Sequence, residues 1–120
     1  MDAAQALADL TEISPQIEAA VVLDEGGAVL AATLDDERAR EVGRLARELL
    51  AQAERTRSGD DTSPTQLQAE TRAGSVFVVR EARRLIAATT PADPTSGLVF
   101  YDLRTCLRSL EGPGDSDAVA

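Results

Sequence analysis

Two short apolar runs on either side of a glycine-containing turn constrain the fold of this chain more than any other feature. Residues 19–23 and 28–32 are apolar, and the segment Asp24–Gly27 between them ends in two glycines. Glycine adopts the positive φ angles of a tight turn without steric cost, so the segment is predicted to be a β-hairpin, β1 and β2. Helical periodicity follows on both sides, and the chain therefore has to combine helices with an antiparallel sheet.

Helical spacing of apolar residues predicts the two helices that flank this hairpin. The first, α1, extends from Asp2 to Ile13, where Ser14-Pro15 disfavours further helix. The second, α2, begins at the capping pair Asp35-Asp36 and continues to about residue 57. Its predicted buried face contains Ala39, Val42, Leu45, Ala46, Leu49, Leu50 and Ala53. Residues 56–64 are rich in Ser, Gly, Asp and Pro and are predicted to form an exposed loop.

The second half of the chain predicts three strands and a last helix. Residues 66–71, 75–79 and 85–90 have strand-like patterns and are expected to form a meander, β3 to β5. Asp93 is the predicted N-cap of α3, with Pro94 at its first position. The predicted buried face of α3 contains Leu98, Val99, Tyr101, Leu103, Cys106, Leu107 and Leu110. Residues 112–120 lack apolar periodicity and are expected to be a disordered tail, which leaves a domain of residues 1–111.

The predicted fold class is therefore α/β, more narrowly α+β, in the order α-β-β-α-β-β-β-α. A single five-stranded antiparallel sheet with helices on both faces accommodates this order. Among the few aromatic residues, Phe77, Phe100 and Tyr101 are expected to pack in the core or on the sheet.

Composition excludes several classes of function. The formal net charge is −9, which argues against a nucleic-acid partner. The chain has no His, so a Ser-His-Asp or Cys-His catalytic arrangement is impossible, and it has no Lys, so a Walker-type phosphate loop is absent. We therefore expect a protein that is not an enzyme and that binds no cofactor or metal. Neither a signal peptide nor a membrane-spanning apolar run is found, and a cytoplasmic location without membrane insertion is expected.

Two stretches of the sequence resemble the roadblock and dynein light chain family. The first is residues 15–24 with Val29-Leu30-Ala31, and the second is Leu85-Ile86-Ala87-Ala88 followed by Asp93-Pro94 and residues 97–104. The resemblance covers about residues 4–111. It implies a roadblock/profilin-like fold and, for prokaryotic members, a small homodimer that binds and regulates a small Ras-like GTPase. Eukaryotic relatives serve as dynein light chains or scaffolds, but the Arg- and Ala-rich composition favours a bacterial source and hence the GTPase regulator.

A homodimer through β3 and α2 agrees with this resemblance. Strand β3 is polar on one side and is predicted to lie at a sheet edge, where a second copy could pair with it. Gly43 lies within a helix at a cost of about 1 kcal/mol relative to Ala, which indicates a crowded neighbour. The predicted dimer-interface residues are Ala39, Gly43, Ala46, Leu50, Gln66, Gln68 and Glu70.

The outer side of α2 is the candidate surface for a partner protein. The predicted partner-binding residues are Arg40, Arg44, Arg47, Glu48 and Arg55. The alternative interpretation is a solvated helix face on which Arg44 pairs with Glu41 and Glu48. Two other functions stay open: an adaptor that does not alter nucleotide turnover, and a small-molecule sensor with a pocket between sheet and helix. Asp24 and Glu25 are interpreted as turn residues, and Cys106 as a packed core thiol.

Overall fold

The computed structural model describes residues 1–56, 65–81 and 83–110. The described elements are α1 (Ala3–Ile13), β1 (Ala19–Leu23), β2 (Val29–Ala32), α2 (Asp36–Thr56), β3 (Gln66–Glu70), β4 (Ser75–Glu81), β5 (Arg84–Thr90) and α3 (Ser96–Arg108). The predicted element order and the α+β class are confirmed. The predicted tail and the predicted 56–64 loop, except for the backbone of Thr56, lie outside the described residues.

The five strands form one antiparallel sheet in the order β2-β1-β5-β4-β3. β5 lies at the centre and pairs with β1 on one side and β4 on the other, with Ala87 opposite both Val21 and Val78. β2 and β3 are the two edge strands. The tips of the β1–β2 and β4–β5 hairpins therefore come to the same end of the sheet, although they are about 60 residues apart in the chain.

Alternation along the strands divides the core into two layers. Val22, Phe77 and Ile86 belong to the layer between the sheet and the helices α1 and α3. Val21 and Val78 belong to the layer between the sheet and α2. Because successive residues of a strand face opposite sides, a sheet covered on both faces needs continuous apolar strands. The continuous apolar sequences of β1 and β5 meet this requirement. The predicted placement of helices on both faces of the sheet is confirmed.

An aromatic pair anchors the α1–α3 layer. The rings of Phe77 on β4 and Phe100 on α3 have centroids 5.0 Å apart and an interplanar angle of 75°. This edge-to-face geometry is a favoured arrangement for two aromatic rings. Phe77 is fully buried, so the prediction of a packing role for these two phenylalanines is confirmed.

The start of α3 differs from the prediction. The helix begins at Ser96 with Thr95 as its N-cap, not with Asp93 and Pro94. Asp93 has a φ of 59°, a left-handed conformation that Asp tolerates better than most residues, so it belongs to the preceding turn. The backbone N–H of Thr95 donates to the Gln16 side-chain oxygen at 2.7 Å, which ties the start of α3 to the segment after α1.

Three predicted core residues are exposed. Leu45 on α2 is 44% exposed, and Leu98 and Tyr101 on α3 are 50% and 62% exposed. Each lies at the margin of an apolar helix face, beyond the width that the sheet or the neighbouring helix covers. These side chains are therefore apolar surface available to other molecules. No helix among the described residues is long and apolar enough to cross a membrane.

Candidate partner-binding face

The turn of the β1–β2 hairpin is held by the side chain and backbone of Asp24. The Asp24 carboxylate accepts a hydrogen bond from the Ala28 backbone N–H at 2.9 Å, and the Asp24 carbonyl accepts one from Gly27 N–H at 3.0 Å. Gly27 has a φ of 93°, which disfavours any residue with a side chain. The placement of Asp24 thus agrees with its interpretation as a turn residue.

Arg47 of α2 extends across this turn. A Cβ atom added to Gly27 would lie 2.2 Å from Nη1 of Arg47, so the guanidinium occupies the space next to the glycine. The backbone angle of Gly27 is the stronger requirement for glycine, because the flexible Arg47 side chain could move away from an added Cβ. The contact places the exposed Arg47 side chain next to the turn of the β1–β2 hairpin.

A row of arginines follows the same side of α2. Arg40, Arg44 and Arg47 are spaced by four and three residues and line one surface depression with Glu48 and Gly27. Arg44 pairs with Glu48 at 3.2 Å, and no Glu41–Arg44 pair is formed. Within the described part of the chain, Arg40 and Arg47 form no ion pair. Arg55 is exposed about two helical turns further on and does not line this depression.

The end of the β4–β5 hairpin adds basic residues that the sequence analysis missed. A cleft of about 420 Å³ separates the two hairpin tips from α2. It is lined by Leu23, Asp24, Glu25, Arg47, Leu50, Ala51, Glu54, Arg80, Arg83, Arg84 and Leu85. Arg80 pairs with Glu54 at 3.0 Å, and the largely buried Arg84 donates to the Leu110 carbonyl at 3.3 Å. The closely spaced arginines from 80 to 84 were the only sequence signal for this contribution.

The small residues of α2 face the protomer's own sheet. Ala39, Ala46 and Leu50 are at most 3% exposed, and Gly43 is also buried. A Cβ on Gly43 would lie 2.9 Å from Cδ2 of Leu23. The crowded neighbour of Gly43 is therefore Leu23 of the same chain, so the crowding at Gly43 is not evidence for a second copy.

Comparison with known proteins decides the family. Residues 3–90 match the model of the Roadblock/LC7 domain. This chain belongs to the Roadblock/LC7 family. No curated protein sequence shows a significant match to this roadblock chain.

Solved structures agree with the roadblock fold. A Roadblock/LC7 domain from Streptomyces avermitilis is 21% identical, with a TM-score of 0.80 over 91% of this chain and 94% of that one. Myxococcus xanthus MglB is 11% identical, with a TM-score of 0.70 over 87% and 80%. A structure described as MglB with tetrameric arrangement is 18% identical, with a TM-score of 0.66 over 90% and 84%. At these identities the likeness establishes the fold.

The remaining predicted interface residues of the roadblock domain lie on the edge strand β3. Gln66 accepts a hydrogen bond from Arg104 of α3, and the Gln68 amide donates to the Glu70 carboxylate at 3.1 Å. β4 is the only strand paired with β3 in the described sheet, so the other backbone edge of β3 faces away from it. The prediction that β3 is an edge strand is thus confirmed.

The side chain of Cys106, a residue of α3, packs between α3 and α1 and is 6% exposed. Burial, with a smaller contribution from the negative charge of Asp9, raises the pKa of the Cys106 thiol from 9.0 to about 11. A thiol with a raised pKa holds little of the reactive thiolate at neutral pH. The placement agrees with the interpretation of Cys106 as a packed core thiol.

Cys106 gives a pH-dependent prediction. Because the folded pKa is raised, the unfolded chain releases this proton first, and the thiol's contribution to stability is lost as pH rises from about 9 to about 11. We expect the free energy of unfolding of the wild type to fall across this window by about 2 kcal/mol more than that of Cys106→Ala. Urea unfolding of both proteins at a series of pH values measures this difference. If the unfolding free energies of the two proteins change with pH in the same way, Cys106 is not a buried thiol with a raised pKa. Rapid labelling of the folded protein by a bulky thiol reagent at pH 8 would also contradict its burial.

Proposed function

We propose that this roadblock protein is a non-enzymatic homodimer that binds a small Ras-like GTPase and modulates its GTP hydrolysis. The observation that carries the proposal is the family match over residues 3–90, because prokaryotic members that the sequence resembles regulate GTPases of this kind. We propose that the protein acts on this partner in the cytoplasm. The composition and the bacterial origin of similar solved structures favour a bacterial source.

The arginine row of α2 is the proposed contact surface. Arginine forms bidentate hydrogen bonds with carboxylates and phosphates, and both groups occur where a GTPase holds its nucleotide and switch segments. Arg40 and Arg47 lack ion-pair partners among the described residues and are available for such bonds. The Arg47 side chain also lies next to Gly27 and lines both the depression beside α2 and the cleft at the hairpin tips.

The regulator acts on hydrolysis through the partner's own chemistry. With no His and no Lys, the chain lacks the commonest general base and the usual phosphate-binding amine. A regulator of this type accelerates hydrolysis either by positioning the catalytic groups of the GTPase or by supplying an arginine that stabilises the transferring phosphoryl group. We propose Arg47 for the second route, because it is exposed and forms no ion pair among the described residues.

The proposed dimer joins the free edge of β3 to the same edge of a second copy. On the face of the sheet that α2 covers, Leu67 and Val76 are only partly buried, and α2 exposes Leu45 one helical turn from Val42 and Leu49. An open strand edge beside exposed apolar side chains is a surface that a second copy can cover. A tetrameric arrangement in one MglB structure supports association of this fold.

Removing the Arg47 side chain is expected to weaken partner binding. We expect Arg47→Ala to raise the Kd for the cognate GTPase at least about tenfold, because arginines at the centre of an interface often contribute more than 1 kcal/mol each. Isothermal titration of the GTP-loaded partner with wild type and variant measures the change.

Arg72→Ala is the matched control, since Arg72 is an exposed arginine on the turn between β3 and β4, away from the α2 row. Its affinity should equal that of the wild type. Melting temperatures of both variants show whether loss of the contact between Arg47 and Gly27 also loosens the hairpin. If Arg47→Ala binds the GTPase as tightly as the wild type does, the arginine row of α2 is not part of the contact surface.

A further inference from the structure

The groove between α1 and α3 lies on the opposite face of the sheet from the α2 surface. It has a volume of about 230 Å³ and is lined by Met1, Ala6, Asp9, Leu10, Ile13, Tyr101, Asp102, Thr105, Cys106 and Ser109. The two helices run antiparallel, since Met1 is near Ser109 at one end and Ile13 and Tyr101 line the same groove near the other. The groove therefore follows most of the length of α1.

Exposed apolar side chains flank this groove. Ile13 is 67% exposed and Tyr101 62%, and Met1 at the opposite end is 38% exposed. Leu98, one helical turn before Tyr101, is 50% exposed. Tyr is enriched among residues that dominate binding energy at protein interfaces, and Met adapts to differently shaped partners. The exposure of Tyr101, the only tyrosine of the chain, together with Ile13, Leu98 and Met1 favours a binding surface here.

The charge of the groove selects its partner. Asp9 and Asp102 contribute carboxylates to the lining, and no arginine side chain is among the lining residues. The arginines of α3 nearest to it bind elsewhere: Arg104 donates to Gln66, and Arg108 pairs with Glu81 at 2.8 Å. The negative charge of Asp9 is felt within the groove, because it contributes to the raised pKa of Cys106.

We propose that the α1–α3 groove binds an amphipathic helical segment of a partner protein, with an apolar stripe flanked by Lys or Arg side chains. The apolar stripe would pack along the groove in the manner of a third helix, and the basic side chains would pair with Asp9, the more exposed of the two carboxylates. A second copy of this chain is a poorer occupant, because its arginine row on α2 is assigned to the GTPase contact and the rest of a chain with a net charge of −9 is repelled by the acidic groove. An anionic lipid surface is disfavoured for the same reason.

The chain supplies its own probe for this proposal. It has one tyrosine and no tryptophan, so its tyrosine fluorescence reports on Tyr101 in the groove alone. The ligand is a synthetic helical peptide of about 14 residues, which spans about 21 Å, with leucines on one stripe, lysines beside them, and no aromatic residues. The matched control peptide has glutamate in place of each lysine. We expect a saturable change in tyrosine fluorescence with the lysine peptide and at least about tenfold weaker binding of the glutamate peptide.

Three variants locate the binding. Ile13→Glu replaces a largely exposed side chain, so the fold should persist while the lysine peptide binds at least about tenfold more weakly. Asp9→Asn should reduce the preference for the lysine peptide and its dependence on salt. Leu30→Glu changes an exposed apolar residue on the edge strand β2, outside the groove lining, and should leave binding unchanged.

Equal responses to the two peptides, no saturable response, or normal binding by Ile13→Glu would each overturn the proposal. The experiment contains no GTPase, so its failure is separate from any failure of the proposed regulatory function.

Discussion

Leu45→Glu is expected to convert a dimer of this protein into a monomer. Leu45 is 44% exposed on α2, the helix that covers the sheet face on which Leu67 and Val76 are partly buried. A charge buried at an apolar contact costs several kcal/mol when no partner compensates it, which is enough to dissociate a dimer at micromolar concentration. Sedimentation equilibrium should give about twice 12.7 kDa for the wild type and about 12.7 kDa for the variant.

Leu30→Glu is the matched control for this result. Leu30 is 45% exposed, nearly the same as Leu45, but it lies on β2 at the other edge of the sheet. Leu30→Glu should therefore remain dimeric. A monomeric wild type would contradict the dimer, and dissociation by Leu30→Glu but not by Leu45→Glu would move the contact to the β2 edge. Gly43→Glu is unsuitable as a test, because its side chain would collide with Leu23 inside the protomer.

Among replacements of a described glycine by alanine, Gly74→Ala is expected to cause the largest loss of stability. A Cβ on Gly74 would lie 2.1 Å from the backbone carbonyl oxygen of Thr90 on the adjacent strand β5. The obstruction is the backbone of the central strand, so relief requires a shift of the β4–β5 pairing where Ser75 is opposite Thr90. Overpacking of this kind costs typically 1–3 kcal/mol, and we expect about 3 kcal/mol here.

Gly97→Ala is the internal control for this substitution. Gly97 lies in the first turn of α3, and a Cβ there would meet no atom within 4 Å. Since Ala is favoured over Gly within a helix, this variant should be as stable as the wild type or up to about 1 kcal/mol more stable. Urea unfolding of the three proteins measures the differences. A Gly74→Ala protein with wild-type stability would show that β4 and β5 do not approach this closely at the end of their pairing opposite the connecting turn.

The sequence predicted most of the fold because each element carries a local signal. The hairpin at Gly26-Gly27 and the continuous apolar runs of β1 and β5 specify strands that are buried on both faces. The boundary of α3 was wrong because the left-handed conformation of Asp93 depends on the tertiary path between β5 and α3, which no local pattern records. Likewise, an apolar helix face shows which side is buried but not how far the sheet covers it, so Leu45 and Tyr101 were wrongly expected to be buried.

The candidate site was only partly predictable for a related reason. Helical spacing alone placed the α2 arginines on one side. The strand order brings two distant hairpin tips together at one end of the sheet. This arrangement creates the contact between Arg47 and Gly27 and adds Arg83 and Arg84 to the same cleft. The small size of Gly43 correctly indicated a close contact. The sequence could not show that the neighbour is Leu23 of the same chain.

The most direct test of the proposed regulatory function is single-turnover GTP hydrolysis by each small Ras-like GTPase of the source organism, measured with and without this protein. For the cognate GTPase, we expect the rate constant to change at least about fivefold, to saturate with increasing concentration of this protein, and to return towards the intrinsic rate with Arg47→Ala. A GTPase that binds the protein while its hydrolysis rate stays the same would identify an adaptor instead. If none of the GTPases binds the protein or changes its rate, the proposed function is wrong.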